Sequence, residues 1–254
     1  MKSFKASLIL VLAFLGMAHV AFAQDTPDPK QIIQKVQDQT RGTSNEGEIK
    51  MTIIRPTWQR EMRLKVWSLG TDYSLILITA PPRDKGTAFL KRKRELWNWQ
   101  PSIDRVIKMP PSMMTQSWMG SDFSNDDMVQ QADPVEDFTH KIIGSEAIEG
   151  RDCQVIEMIP KEDTPVAWGK IKTWVDKENF LELKTEFYDE DGYLVNTMVG
   201  KNIREMDGHL LATTLEVIPA DEPGNKTIVE QLWIKFDVPL KASFFSVQNM
   251  KKVR

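Results

Sequence analysis

Side chains that could attack a substrate or relay a proton are scarce. One cysteine, Cys153, and three histidines, His19, His140 and His209, are spread over 254 residues. A cysteine nucleophile needs a neighbouring base to take its proton, and Cys153 reads first as a buried structural thiol. His140 and His209 each sit in a strand-like pattern and read first as structural too. No G-x-S-x-G elbow, H-E-x-x-H pair, cysteine cluster or phosphate-cradling glycine loop occurs. Asp189-Glu190-Asp191-Gly192 has the flavour of a calcium loop but lacks the distal ligands, and it fits a hairpin turn better. The sequence therefore supplies no catalytic residue, no metal ligand and no cofactor motif. Because Ser-His-Asp sites are recognised by geometry rather than chain order, lipid hydrolysis stays open as a minor reading.

The conspicuous chemistry is apolar. Trp97-Asn98-Trp99-Gln100-Pro101 is followed by Met109-Pro110-Pro111-Ser112-Met113-Met114 and then by Trp118-Met119-Gly120-Ser121-Asp122-Phe123. About twenty residues separate the strand pattern ending near Lys108 from the next, whereas connections usually run two to six residues over the surface. Methionine repacks readily around varied apolar partners. Such a stretch covers either the protein's own core or an apolar ligand, and both readings stand. Lys91-Arg92-Lys93-Arg94 is the one dense basic run. It suits a solvated turn, or a contact with anionic headgroups or an acidic partner.

The elements that must position these residues begin with an export leader. Lys2 and Lys5 precede an apolar run from Leu8 to Ala18, and Ala21-Phe22-Ala23 is a small-x-small cleavage site. Residues 1–23 are thus expected to be a signal peptide and 24–254 a single exported domain. No later stretch approaches the roughly 18 apolar residues of a spanning helix. A lone cysteine allows no intramolecular disulfide. The formal charge of −3 argues against nucleic acid as a partner.

Asp28 and Pro29 open a helix with Ile32, Ile33 and Val36 on one stripe, and Gly42 ends it. Beyond it the apolar period becomes two, broken by turn signals such as Asp191-Gly192, Asp207-Gly208 and Pro223-Gly224-Asn225. The expected fold is mainly β. It is a strongly curved antiparallel sheet of about ten or eleven strands, with helical pieces at Ser112–Met119 and from Ser124 to about Gln131 lying across its concave face as a lid. Pro110-Pro111 and Gly120 could act as its hinges. Met113, Met114, Trp118 and Met119 are expected to face a cavity lined by Leu64, Val66, Leu75, Leu77, Trp97 and Trp99.

Leu96-Trp97-Asn98-Trp99-Gln100-Pro101, the run Ser117–Met128 containing Gly120-Ser121-Asp122-Phe123-Ser124, and Tyr188-Asp189-Glu190-Asp191-Gly192 resemble motifs of the outer membrane lipoprotein-sorting protein family, a LolA-like group of periplasmic proteins. The resemblance spans essentially the whole mature chain. It implies an unclosed β-barrel with a helical lid. It also implies a periplasmic carrier that holds acyl chains of a lipoprotein or another lipid for transfer towards the outer membrane, between an inner-membrane transporter and an outer-membrane acceptor. A periplasmic adaptor of an envelope export system is the alternative. In that case the concavity would be packed shut and Lys91–Arg94 would form the working surface.

Overall fold

Asp28 caps the first helix as its type predicts. Its carboxylate accepts the backbone N–H of Lys30 at 3.0 Å, Pro29 occupies the first turn, and Ile32, Ile33 and Val36 are buried along helix α1 (Pro29–Arg41). The computed structural model describes residues 28–129, 132–162, 164 and 166–253. The expected leader 1–23, its cleavage site and the expected helix end at Gln131 lie outside them. No described helix is long and apolar enough to cross a membrane.

Thirteen strands follow: β1 (Ser44–Arg55), β2 (Trp58–Leu69), β3 (Tyr73–Ala80), β4 (Ala88–Arg92), β5 (Glu95–Gln100), β6 (Arg105–Lys108), β7 (Phe138–Ile148), β8 (Arg151–Pro160), β9 (Lys170–Asp176), β10 (Glu182–Tyr188), β11 (Leu194–Met206), β12 (His209–Pro219) and β13 (Lys226–Phe236). All belong to one antiparallel sheet ordered β6-β5-β4-β3-β2-β1-β13-β12-β11-β10-β9-β8-β7. Every neighbour in this order is a neighbour in sequence except β1 and β13, which zip the two halves together. The sheet leaves β6 and β7 as edges, so the barrel is not closed, as the family resemblance implies. The strand count exceeds the ten or eleven expected. β4 and β6 are short, of five and four residues.

Two coverings lie on the inner face. Helix α1 packs Ile32, Ile33 and Val36 against Ile156, Met158, Ile171 and Val175 of β8 and β9. The segment joining β6 to β7 packs Met114, Trp118 and Phe123 against Met51, Ile53, Met62, Leu64, Ile76, Ile78 and Phe89. The outer face of β2–β5 is apolar as well. It carries Trp67, Leu75, Leu77, Ala88, Leu90 and Trp99, and the chain after β13 covers it with Phe244, Phe245, Val247 and Met250. Met250 closes helix α3 (Val247–Met250), whose Ser246 cap accepts the Asn249 N–H.

Candidate functional site

The connection between β6 and β7 is knit by its own polar atoms. Trp118 N donates to the Phe123 carbonyl at 2.7 Å, Ser121 N donates to the Trp118 carbonyl at 2.9 Å, and Ser117 bridges to Ser124. Met119 and Gly120 both take positive φ, at 54° and 77°, which reverses the chain between them. Ser124 then caps helix α2 (Asn125–Val129): its hydroxyl accepts Asp127 N at 3.0 Å, and the Asp127 carboxylate accepts Ser124 N and Oγ, both at 2.8 Å. This is a reciprocal capping box with Asp in the third position. Burial pushes the Asp127 carboxyl above its ordinary range, against the pull of these two bonds.

The same segment is riveted to the barrel. Arg55 of β1 meets Asp122 at 3.0 and 3.1 Å and donates to the Gly120 carbonyl at 2.8 Å. Thr227 of β13 donates to Asp122 at 2.6 Å and accepts its backbone N–H at 3.0 Å, while Arg60 of β2 donates to the Met119 carbonyl. Two expectations are corrected here. Ser112–Met119 is not a helix: a single 3-10 turn, Pro111–Met113, is followed by turns, because Pro110-Pro111 and the left-handed Met119 leave no room for a helical run. Gly120 is not a hinge but the clamped apex of an anchored turn.

The predicted lining residues divide between two faces. Leu64, Val66, Met114, Trp118 and Met119 come together in the inner cluster. Met113 ends the 3-10 turn, half-buried, and joins neither cluster. Leu75, Leu77, Trp97 and Trp99 lie on the outer face under the C-terminal segment, which corrects their expected place beside the lid. Register is the reason. Val66 pairs with Ile76 and Leu64 with Ile78, whereas Leu75 pairs with Trp67 and Leu90, and Leu90 in turn with Trp97. Directly opposed residues share a face. The inner positions overlooked are therefore Ile76 and Ile78, one step off Leu75 and Leu77, together with Phe89, Phe123, Met51 and Met62.

Trp118 is the centre of this cluster. It is 1% exposed, its ring lies 5.2 Å from that of Phe89, and its buried indole N–H has no acceptor among the described residues. Met109, Met119, Met128 and Met198 pack against the cluster. The arrangement offers apolar contact. It is a deformable apolar interior closed by an anchored loop.

A charged seam runs beside it. Lys91 shares the inner face with Phe89 and is only 4% exposed, while Arg92, Lys93 and Arg94 are exposed in the following turn. A cleft of about 430 Å³ is lined by Thr71, Asp72, Lys91, Lys93, Arg94, Asp133 and Asp137. Burial, reinforced by Arg41, pulls the Lys91 ammonium down to about 8, and Asp72, Asp126 and Asp133 oppose that pull.

The remaining candidates contact the protein's own groups. His140 contacts the Pro134 carbonyl at 2.7 Å, and His209 stacks on Phe236 at 3.9 Å and contacts the Gln39 carbonyl. Cys153 is fully buried, which raises its thiol above the ordinary value. Asp189 accepts the Tyr193 N–H at 2.8 Å within a hairpin turn.

Comparison with known proteins places this geometry. A family model described as an uncharacterized protein matches residues 70–252. An outer membrane lipoprotein-sorting protein domain from Vibrio parahaemolyticus is 24% identical, with 88% of this chain and 98% of that chain covered and a TM-score of 0.78. A DUF1329 family protein from Desulfovibrio piger is 25% identical over 88% and 99%, with a TM-score of 0.80. A LolA superfamily protein from Nitrosomonas europaea is 24% identical over 87% and 98%, with a TM-score of 0.74. No curated protein matches the chain.

Proposed function

From the premise that this chain belongs to the family whose model spans residues 70–252, and that its fold is that of the LolA superfamily, we propose that it is a periplasmic carrier. Residues 24–254 act as one domain after export. Acyl chains of a lipoprotein or another lipid lie against the inner face of β1–β4, beneath the segment from Met109 to Met128, on their way from an inner-membrane donor to an outer-membrane acceptor.

The observation that carries this reading is the Trp118 cluster. Met114, Trp118 and Phe123, with Met109, Met119 and Met128 beside them, all come from the one connection outside the strands and pack on apolar side chains of β1–β5 and β12. Burying an acyl chain is worth about 0.8 kcal/mol for each CH₂, enough for cargo to displace Met114 and Trp118 from the same surface. The anchor through Arg55 and Asp122 sets where the loop stays attached while its flanks give way.

One observation favours the adaptor reading: the inner face is filled by the protein's own Trp118 and Phe123. Arg92, Lys93 and Arg94 would then dock an export partner. Native mass spectrometry of gently purified mature protein separates the two. A co-purifying lipid mass, displaced by a fluorescent fatty acid, supports the carrier. Bare protein that ignores the fatty acid supports the adaptor.

A further inference from the structure

Resting on the carrier reading, we propose that the cleft between the β4–β5 turn and the chain leading into β7 receives a zwitterionic amine–phosphate headgroup, as in phosphatidylethanolamine. Its lining carries both signs of charge. Lys91, Lys93 and Arg94 of the β4–β5 region present cations, while Asp72 of the preceding turn and Asp133 and Asp137 ahead of β7 present carboxylates. The volume, about 430 Å³, is that of a small-molecule site.

Position supports the assignment. Lys91 is two residues from Phe89 on one strand face, so the cationic wall begins where the Trp118 cluster ends. Asp133 and Asp137 are interleaved with Ala132, Val135 and Phe138, which belong to the second inner cluster under α1. The cleft is therefore the polar border of both apolar surfaces, where the head of an amphiphile sits when its chains are sheltered inside. The carboxylates are held in place beforehand: Asp133 accepts the N–H groups of Val135 and Glu136 at 2.8 and 3.2 Å, and Asp137 accepts that of Asp133 at 2.8 Å.

Charge balance selects the ligand. A purely anionic head would put its phosphate among three carboxylates, and a purely cationic one would face Lys91, Lys93 and Arg94. A group carrying both charges meets the cations with its phosphate and the carboxylates with its ammonium. An ammonium also donates hydrogen bonds to Asp72 and Asp133, which a choline head cannot do.

The test uses delipidated mature protein and four short-chain probes: dihexanoyl phosphatidylethanolamine, phosphatidylglycerol and phosphatidylcholine, and an uncharged monoacylglycerol. Glycerophosphoethanolamine serves as the free head. Calorimetry is expected to show phosphatidylethanolamine binding at least tenfold more tightly than the other three, with the free head bound far more weakly. The advantage over monoacylglycerol should fall about tenfold in Lys93→Gln/Arg94→Gln and in Asp72→Asn, all exposed turn positions. Phosphatidylglycerol or phosphatidylcholine binding equally well overturns the proposal, as does a free head that binds as tightly as the lipid. Monoacylglycerol matching phosphatidylethanolamine overturns the headgroup site and leaves the carrier standing. No binding of any acylated probe overturns both.

Discussion

Asp122 and Arg55 face each other fork to fork, Oδ1 to Nη2 at 3.0 Å and Oδ2 to Nη1 at 3.1 Å, with side chains 4% and 13% exposed. This pair gives the Gly-Ser-Asp-Phe-Ser run its physical meaning. The glycine and the left-handed Met119 turn the chain, and the aspartate fastens the turn to β1 and β13. Removing one partner strands the other's charge in a dry site, which typically costs about 3–5 kcal/mol. Asp122→Asn and Arg55→Met should each lose that order of stability in urea unfolding. The Arg55→Met/Asp122→Leu double variant should lose clearly less than the sum of the two. Additive losses would show that the two side chains are not coupled.

Gly120 adds a backbone test of the same anchor. Its φ of +77° favours glycine, and a Cβ there would meet nothing nearer than the Arg60 guanidinium at 3.7 Å. Gly120→Ala should therefore cost only the left-handed strain, about 1–2 kcal/mol, with no steric penalty. A loss as large as that of Asp122→Asn would mean that the turn is packed more tightly than its contacts indicate.

The C-terminal segment should be separable from the inner face. Phe245 is fully buried between β3–β4 and α3, 5.6 Å from the Tyr73 ring, and Lys251 lies 4.4 Å above the Trp99 ring. Phe245→Ala should destabilise the fold by roughly 3–5 kcal/mol. At temperatures where the variant stays folded, its affinity for a fluorescent fatty acid should remain within about twofold of the wild type, since a twofold change is well under 1 kcal/mol. A large loss of affinity would place the outer face in the binding path.

The strands were legible because alternation survives wherever one face is polar, as in Trp58–Val66 with Arg63 and Lys65 between Met62, Leu64 and Val66. The facing of β3 was not. Leu75, Ile76, Leu77 and Ile78 are all apolar, so period two is blank there and only pairing with β2 decides which pair turns inward. A strand apolar on both faces is a strand covered on both faces, and the chain after Phe236 is the unrecognised second cover. Its signal was the spacing of Phe244, Val247 and Met250 behind Pro239. Buried Lys91 and Asn98 lay equally out of reach, since polar residues in an alternating run read as solvent-facing.

Lys91 predicts a pH dependence. Burial lowers its folded pKa to about 8 from an ordinary value of 10.5. Between these values the unfolded chain holds the proton more often than the folded one, so stability contributed at this site rises with pH. The penalty is fully present below pH 8. Tyr188, raised to about 12 by burial and then by Glu186, and Cys153, raised by burial, act in the opposite sense at the alkaline end. The clean measurement is the difference between wild type and Lys91→Met: wild type should gain relative to the variant between pH 8 and 10. A flat difference would mean that Lys91 is not burdened by burial.

Trp118 decides between core and carrier. Its ring is packed on Phe89, so Trp118→Ala should cost roughly 3–5 kcal/mol whichever role it has, and that variant alone settles nothing. Trp118→Phe is the informative change. It keeps an aromatic ring and removes the indole N–H, which is buried without an acceptor among the described residues. An unpaired buried donor costs about 1–3 kcal/mol, so the phenylalanine variant should keep most of the wild-type stability despite its smaller ring. If the N–H meets the ester or amide carbonyl of a bound acyl group, the same variant should lose about three- to tenfold in affinity for a fluorescent acyl ester, since a net hydrogen bond is worth about 0.5–1.5 kcal/mol. A simple alkane-chain probe, which offers no carbonyl, should be affected much less. Unchanged affinity for both probes, with only stability altered, would make Trp118 a residue of the core and leave the acyl chains without their proposed contact.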